Sequence, residues 1–227
     1  MTESVPLDPA DISETTAGPR VRWHHVLLGA GLAVLLVGAV ALGRTTASAE
    51  PRHAAPASDS ADAGFARDMS IHHAQAVEMS FLVRSRSDVK DVGYLSYDII
   101  TTQSNQRGMM LGALQRWDLP VHTSAAPMAW MGHGQHSGHG GEVLMPGMAS
   151  RAELDRLSKA PAKNAEVLYL QLMIRHHQAG VAMAQGYADL GADPLLVRLA
   201  EGMVAGQREE IDLMTDMLKR RGAAPLN

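Results

Sequence analysis

An internal repeat constrains this chain more than any other feature. The pattern Met, two residues, His-His, five residues, Met occupies residues 69–79 and recurs 104 residues later at residues 173–183. The same ungapped shift makes ten residues of 65–120 identical to their counterparts in 169–224, where ordinary composition gives about three or four by chance. Two copies predict a fused pair of similar modules, because a solenoid usually needs about three repeats or more.

Each copy carries the signals of a helical hairpin. The first predicts helices over about residues 61–86 and 88–118, after the N-cap candidates at 58–60. The second predicts helices over about 163–190 and 194–221, and Ser150 with Glu153 predicts a capping box that begins a short helix at 151–158. No segment alternates as a strand does. We therefore predict an all-α protein, a four-helix bundle made of two duplicated hairpins and preceded by one N-terminal transmembrane or signal helix.

The sequence of the N-terminal region predicts a segment that enters or crosses a membrane. Residues 26–43 have no charged or strongly polar side chain, and at about 1.5 Å per residue they extend roughly 27 Å. Arg20 and Arg22 precede this stretch, which places the N-terminus in the cytoplasm. Ala47–Ala49 matches a signal-peptidase site. Two interpretations stay open, a single-pass anchor and a signal peptide cut after Ala49, and both place the later residues outside the cytoplasm.

The predicted organisation follows from these features. The predicted order is a cytoplasmic segment (1–22), a transmembrane or signal helix (23–43), a linker (44–60) and a helical domain (61–222). Within the helical domain, a His- and Met-rich linker at 120–149 separates the first repeat (61–119) from the second (150–222).

Histidine and methionine share one face of the first helix in each repeat. Steps of three and four residues connect Phe65, Met69, His72, Ala76, Met79 and Val83, and the second repeat has the same pattern, which predicts a core-facing stripe. Burying several imidazoles is costly unless each finds a partner. A metal ion between the two repeats is one solution, and an ordinary core with methionine as gap filler is the alternative. The candidate ligands are His72, His73, His176, His177, Met69, Met79, Met173 and Met183, with Gln103, Gln106, Gln207 and Glu210 as other polar groups on the facing helices.

The donor types favour copper. The chain has 11 His, 14 Met and no Cys, and thioether with imidazole suits Cu(I) in particular. Zinc gains little from methionine, and the chain lacks the Glu-x-x-His motif of di-iron bundles. Because imidazole binds metal only when neutral and has a reference pKa of about 6.5, we expect affinity to weaken as the pH falls through about 6.

The linker between the repeats is rich in the same donors. A Gly-rich His tract is typical of metal binding, so we interpret residues 120–149 as a mobile loop that collects copper; a plain flexible crossover is the alternative. Trp130 is a candidate cover for a bound Cu(I) ion. The secondary loop ligands are His122, His133, His136, His139, Met128, Met131, Met145 and Met148.

The duplicated motif resembles a bacterial family known as domain of unknown function 305. The family pattern is matched at Met69, His72, His73, Ala76 and Met79, and again in the second repeat at Met173, His176, His177, Gly180 and Met183. The run 145–148 and the helices that carry Gln103 and Gln207 are also similar. The resemblance covers about residues 60–222. It implies a ferritin-like bundle that is secreted or membrane-anchored, with copper handling in some members and no established activity in most.

These observations predict an extracytoplasmic copper-binding protein that sequesters or delivers Cu(I). The formal charge of −4 is spread without blocks, which gives nucleic-acid binding no electrostatic basis. The expected partners are a metal ion, the membrane through the N-terminal helix, and copper-handling proteins of unknown identity. We assign no catalytic residue. The rival hypotheses are a ferritin-like metal-dependent oxidoreductase and a structural or envelope-stress bundle without metal.

Overall fold

The computed structural model describes residues 54–132 and 144–226. Five α-helices lie in these residues, with no strand among them, and we number them in chain order: α1 Ala61–Arg84, α2 Lys90–Arg116, α3 Arg151–Lys159, α4 Ala162–Leu190 and α5 Pro194–Arg220. A single 3-10 turn spans Ala129–Met131. The predicted all-α class is confirmed.

Side-chain caps form at three of the five helix starts. Ser60 caps α1 by accepting from the amide of Ala63, Ser150 and Glu153 form the predicted capping box at α3, and Asp193 caps α5. The helices α2, which begins at Lys90 and later than expected, and α4 have no side-chain cap. Ser87 accepts from the Val89 amide and donates to Glu166 Oε1 at 2.7 Å, so its hydroxyl connects the α1–α2 turn to the other hairpin.

Helices α1 and α4 are the inner pair that joins the two hairpins. Ser80, near the end of α1, hydrogen-bonds Tyr169 near the start of α4 at 3.0 Å. At the opposite end Tyr187 donates to Asp62 Oδ1 at 2.6 Å, so the two helices are antiparallel. α1 packs on α2 and α4 packs on α5. The four long helices thus form two hairpins that meet through α1 and α4.

Equivalent acidic residues hold the two ends of this assembly. Asp62 accepts from the backbone amides of Ala192 and Asp193 in the α4–α5 turn. Glu166, its counterpart in the repeat, accepts from Ser87 in the α1–α2 turn and from Arg221 Nε at 2.8 Å. Each hairpin therefore supplies the carboxylate that fixes the turn of the other.

The apolar core is divided into two clusters. One cluster includes Met79, Val83, Ile99, Tyr169, Met173 and Met214. The other includes Phe65, Met69, Met110, Met183, Tyr187 and Met203. On each long helix, the segment between the two clusters includes two residues that are histidine, glutamine or glutamate. The predicted core-facing stripe is confirmed, since its members on α1 and α4 are buried.

The N-terminal predictions lie outside the described residues. These are the segments 1–22 and 23–43, most of the linker 44–60, and the cleavage site at Ala49. Within the two described stretches, no helix is both long enough and apolar enough to cross a membrane.

Candidate metal centre

A buried polar layer crosses the bundle between the two apolar clusters. Each of the four long helices contributes two of its residues, which are His72 and His73 from α1, Gln103 and Gln106 from α2, His176 and His177 from α4, and Gln207 and Glu210 from α5. The four histidines are at most 1% exposed. The histidine pairs of the two repeats therefore lie at one height in the bundle.

His72 and His176 meet at the centre of this layer. Their ring centroids are 3.7 Å apart and the ring planes are inclined by 30°. His176 Nε2 donates to the backbone carbonyl of His72 at 3.0 Å. His72 Nε2 donates to the backbone carbonyl of Pro146 at 3.3 Å. Both rings are therefore oriented by carbonyl groups of the protein itself.

His73 and His177 face the second helix of their own hairpins. His73 Nε2 donates to Gln106 Oε1 at 2.7 Å, and His177 Nε2 donates to Glu210 Oε2 at 2.8 Å. The two pairs occupy equivalent positions of the repeat, 104 residues apart. Gln103 places its amide nitrogen 3.5 Å from His177 Nε2, but both atoms are N–H donors in this arrangement, so the contact is not a hydrogen bond.

These contacts assign one tautomer to all four rings. Because each Nε2 faces an oxygen acceptor, each carries the proton, and the lone pair of the neutral ring lies on Nδ1. In the described part of the chain, five buried side-chain atoms have no hydrogen-bond partner, and all belong to this layer: Nδ1 of His73, His176 and His177, Gln103 Oε1 and Gln207 Nε2. Leaving such atoms without partners costs about 1–3 kcal/mol each.

Burial lowers the pKa of three of these imidazoles, those of His72, His73 and His176. Desolvation, reinforced by the neighbouring His73, lowers the pKa of His72 to about 3. Desolvation likewise lowers the pKa of His73 to about 4, although the Gln106 hydrogen bond opposes this shift. The pKa of His176 lies well below its usual value for the same reason. The expected loss of affinity near pH 6 therefore moves to lower pH, because these rings stay unprotonated there.

Methionine sulfurs border the layer on both sides. Met69 and Met183 belong to one apolar cluster and Met79 and Met173 to the other, and all four are buried. No group of three or more His, Asp or Glu residues is arranged to hold a metal ion in the described ranges. His, Asp and Glu alone therefore do not supply a complete ligand set at this layer, and the four methionines are the neighbouring soft donors.

The described part of the linker packs on the bundle. Asp68 Oδ2 accepts from the Met128 amide at 2.8 Å and from Trp130 Nε1 at 2.9 Å, and the Trp130 ring packs edge-on against Phe65 with centroids 5.9 Å apart. Residues 128–131 therefore pack against α1, and Trp130 is held by Asp68 and the core. The expected mobility of the linker and the role of Trp130 as a cover stay predictions, since residues 133–143 lie outside the described residues.

The remaining loop candidates differ in position. Met131 contacts Gly186, Met145 is buried, Met148 is half-buried and His122 is exposed. The other three candidates, His133, His136 and His139, lie outside the described residues.

The segment 145–148 closes the layer on the side of α1 and α4. Gly147 has φ +76°, and a Cβ there would lie 2.7 Å from the carbonyl oxygen of Arg175 and 3.2 Å from His176 Cα. Gln75 holds the next residue, Ala149, through both its carbonyl and its amide. Sequence reasoning missed this contact, although the glycine after Pro146 is a signal for a positive φ.

The opposite side of the layer is partly open. Gln106 and Glu210 are the members with intermediate exposure, and the side chain of Glu210 is 24% exposed. Both hydrogen-bond a fully buried histidine. These two residues therefore connect the buried imidazoles to solvent.

The fold and this layer define a class of protein, a duplicated helical-hairpin protein with a buried His/Gln layer. Residues 62–218 match the family described as domain of unknown function (DUF305). The match covers more than half of the chain, which therefore belongs to this family. None of the curated proteins matches the chain.

Solved structures agree with this assignment. A DUF305 protein from Streptomyces coelicolor that is described as secreted has a TM-score of 0.70 and 53% identity, covering 75% of this chain and 99% of its own. A DUF305 fragment from Deinococcus radiodurans has a TM-score of 0.59 and 36% identity, over 70% of this chain and 96% of its own. CopM in its Cu(II)-bound form has a TM-score of 0.55 and 25% identity, over 71% of this chain and 97% of its own.

Proposed function

We propose that this protein binds copper, chiefly as Cu(I), outside the cytoplasm and sequesters or delivers it. The observation that carries the proposal is the set of buried Nδ1 atoms without partners in the polar layer. Metal-binding histidines usually donate their other ring N–H to a carbonyl or carboxylate, which fixes the tautomer. All four histidines of the layer make such a bond.

The bordering sulfurs favour Cu(I) over zinc. Zinc sites use three or four His, Cys or carboxylate ligands, and the described residues hold no such group. Thioethers select soft ions such as Cu(I). We propose His72, His73, His176 and His177 as ligands, completed by Met69, Met79, Met173 and Met183.

The relatives support the choice of metal and the location. CopM has been solved in Cu(II)-bound, Cu(I)-bound and Ag-bound forms. The Streptomyces coelicolor relative is described as secreted. We propose that the bundle is ferritin-like and lies outside the cytoplasm, released by cleavage after Ala49 or anchored by residues 26–43. Membrane fractionation of cells, with N-terminal sequencing of the mature protein, tests the two alternatives.

Histidine-dependent Cu(I) affinity is the measurement that tests the function. The full chain competes with a chromophoric Cu(I) chelator and, separately, with a Zn(II) chelator. We expect tighter binding of Cu(I), and we expect His73→Gln/His177→Gln to weaken it strongly. The control is His122→Gln, because His122 is an exposed linker residue outside the layer and its loss should leave the affinity of the layer unchanged.

The outcomes separate the rival functions. Equal stability with and without copper, and no Cu(I) binding, favour the structural bundle. Turnover of dioxygen or peroxide by the copper-loaded protein favours an oxidoreductase. Retention of full Cu(I) affinity in the double variant removes the layer from the proposal.

A further inference from the structure

The two halves of the polar layer differ at one equivalent position. Gln106 and Glu210 are 104 residues apart and each accepts from a buried histidine, at 2.7 Å and 2.8 Å respectively. The first half thus pairs its histidine with a neutral amide and the second with a carboxylate. The other three pairs of the layer are identical in type: His72 with His176, His73 with His177, and Gln103 with Gln207.

We infer that Glu210 makes the two halves unequal and gives His177 a stronger preference for divalent copper, Cu(II), over monovalent ions than His73 has. This inference rests on the proposed function and deepens it. Glu210 acts through His177, whose Nε2 it holds, so it is a positioning residue and not a ligand.

Charge is the physical reason. The attraction between the carboxylate and a cation on the far side of the ring is proportional to the charge of the cation. The carboxylate also makes the ring a stronger donor at Nδ1, which is buried without a partner. Among the eight residues of the layer, Glu210 is the one carboxylate. Its side chain is 24% exposed, so it keeps part of its hydration.

The neutral half provides the matched comparison. Gln106 forms the same hydrogen bond with His73 at a nearly equal distance, so a glutamine is compatible with this geometry. Glu210→Gln should fold normally and convert the second half into a copy of the first. Gln106→Glu should do the reverse. The double exchange should move the preference from His177 to His73.

The test measures the affinities of Cu(II) and Ag(I) on the full chain by calorimetry, with Ag(I) as a monovalent ion that does not change oxidation state. Loss of a partner that orients a ligand typically costs about 10–100-fold in metal affinity. We expect that loss for Cu(II) in Glu210→Gln, and about 3–10-fold for Ag(I), since half the charge gives half the free energy. Glu210→Asp should restore part of the Cu(II) affinity.

The outcomes distinguish this inference from the function beneath it. If Glu210→Gln loses Cu(II) and Ag(I) affinity equally, or loses neither, the inference is wrong. The proposed function is unaffected by that result as long as His177→Gln still weakens Ag(I) binding. If the wild-type chain binds neither ion through His177, both the inference and the proposed function fail. Electron paramagnetic resonance of Cu(II) should show coordination by His177 in the wild-type chain and by His73 in the double exchange, and this result supports the inference.

Discussion

His72 and His176 occupy equivalent positions of the two repeats, and their imidazole rings lie against each other with centroids 3.7 Å apart. The contact joins α1 to α4, and His176 also donates to the backbone carbonyl of His72. The two repeats therefore share one histidine pair at their interface. Neither repeat can place its central imidazole independently of the other.

Because the repeats share this pair, we expect the losses of Cu(I) binding in its single variants to be non-additive. We expect His72→Ala and His176→Ala each to remove most Cu(I) binding by the layer, and the double variant to be only slightly worse, because residues in contact do not contribute independently. Titrated stoichiometry and affinity of the three variants measure this. If each single variant keeps one metal ion at full affinity, each repeat binds copper alone.

The buried histidines predict acid sensitivity of the metal-free protein. In the unfolded chain histidine takes up a proton near pH 6.5, whereas burial lowers the pKa of His72 to about 3 and of His73 to about 4. Between these pH values the unfolded state binds more protons, so stability is complete above about pH 6.5 and is lost as the pH falls towards about 4. Each such histidine contributes a slope of about 1.4 kcal/mol per pH unit.

Urea unfolding at pH 7.5, 6 and 5 measures that slope. His73→Gln should reduce it, while His122→Gln, which changes an exposed residue, should not. A free energy of unfolding that is constant from pH 7.5 to pH 5 contradicts neutral burial of the histidines.

Substitution of Gly147 tests whether the segment 145–148 is held against α4. Gly132 and Gly147 both have positive φ, +73° and +76°, but a Cβ on Gly132 meets nothing within 4 Å, whereas one on Gly147 approaches the backbone of α4. We expect Gly132→Ala to cost about 1–2 kcal/mol for backbone conformation alone. Gly147→Ala should cost about 1–3 kcal/mol more because of the added steric conflict. Equal losses in urea unfolding would mean that the segment 145–148 is not held against α4.

We expect the linker histidines to affect the amount of copper bound and the rate of loading, but not the affinity of the buried layer. Replacing His133, His136 and His139 by Ala should lower the total copper bound and slow loading, and leave the affinity of the layer unchanged, because its ligands are on helices. Stopped-flow loading and equilibrium titration measure the two quantities. An unchanged capacity and loading rate support a plain crossover without a role for its histidines.

The sequence alone was sufficient for the parts of the site that depend on helical period. The spacing of Met69, His72 and Met79, repeated 104 residues later, predicts burial and a common height for both histidine pairs, since residues three and four apart share a helix face. The capping box at Ser150 is likewise local. These features need no knowledge of how the hairpins pack.

Other features depend on tertiary contacts and could not be predicted in this way. Asp68 accepts from the side chain of Trp130, 62 residues away, and from the amide of Met128, 60 residues away, so residues 128–130 of the linker pack against α1. The Pro146 carbonyl that orients His72 is 74 residues away from it. Which ring nitrogen is left without a partner follows only from such contacts.

The ring nitrogens give the most direct test of the central claim, that the buried layer binds copper through Nδ1. We would label the histidines of the full chain with nitrogen-15 and add Ag(I) as a diamagnetic substitute for Cu(I). The account predicts that Nδ1 of the core histidines shifts and couples to silver, while their Nε2 protons remain bound to oxygen acceptors. Changes confined to His122 and the histidines of the linker, with the core rings unchanged, would contradict it.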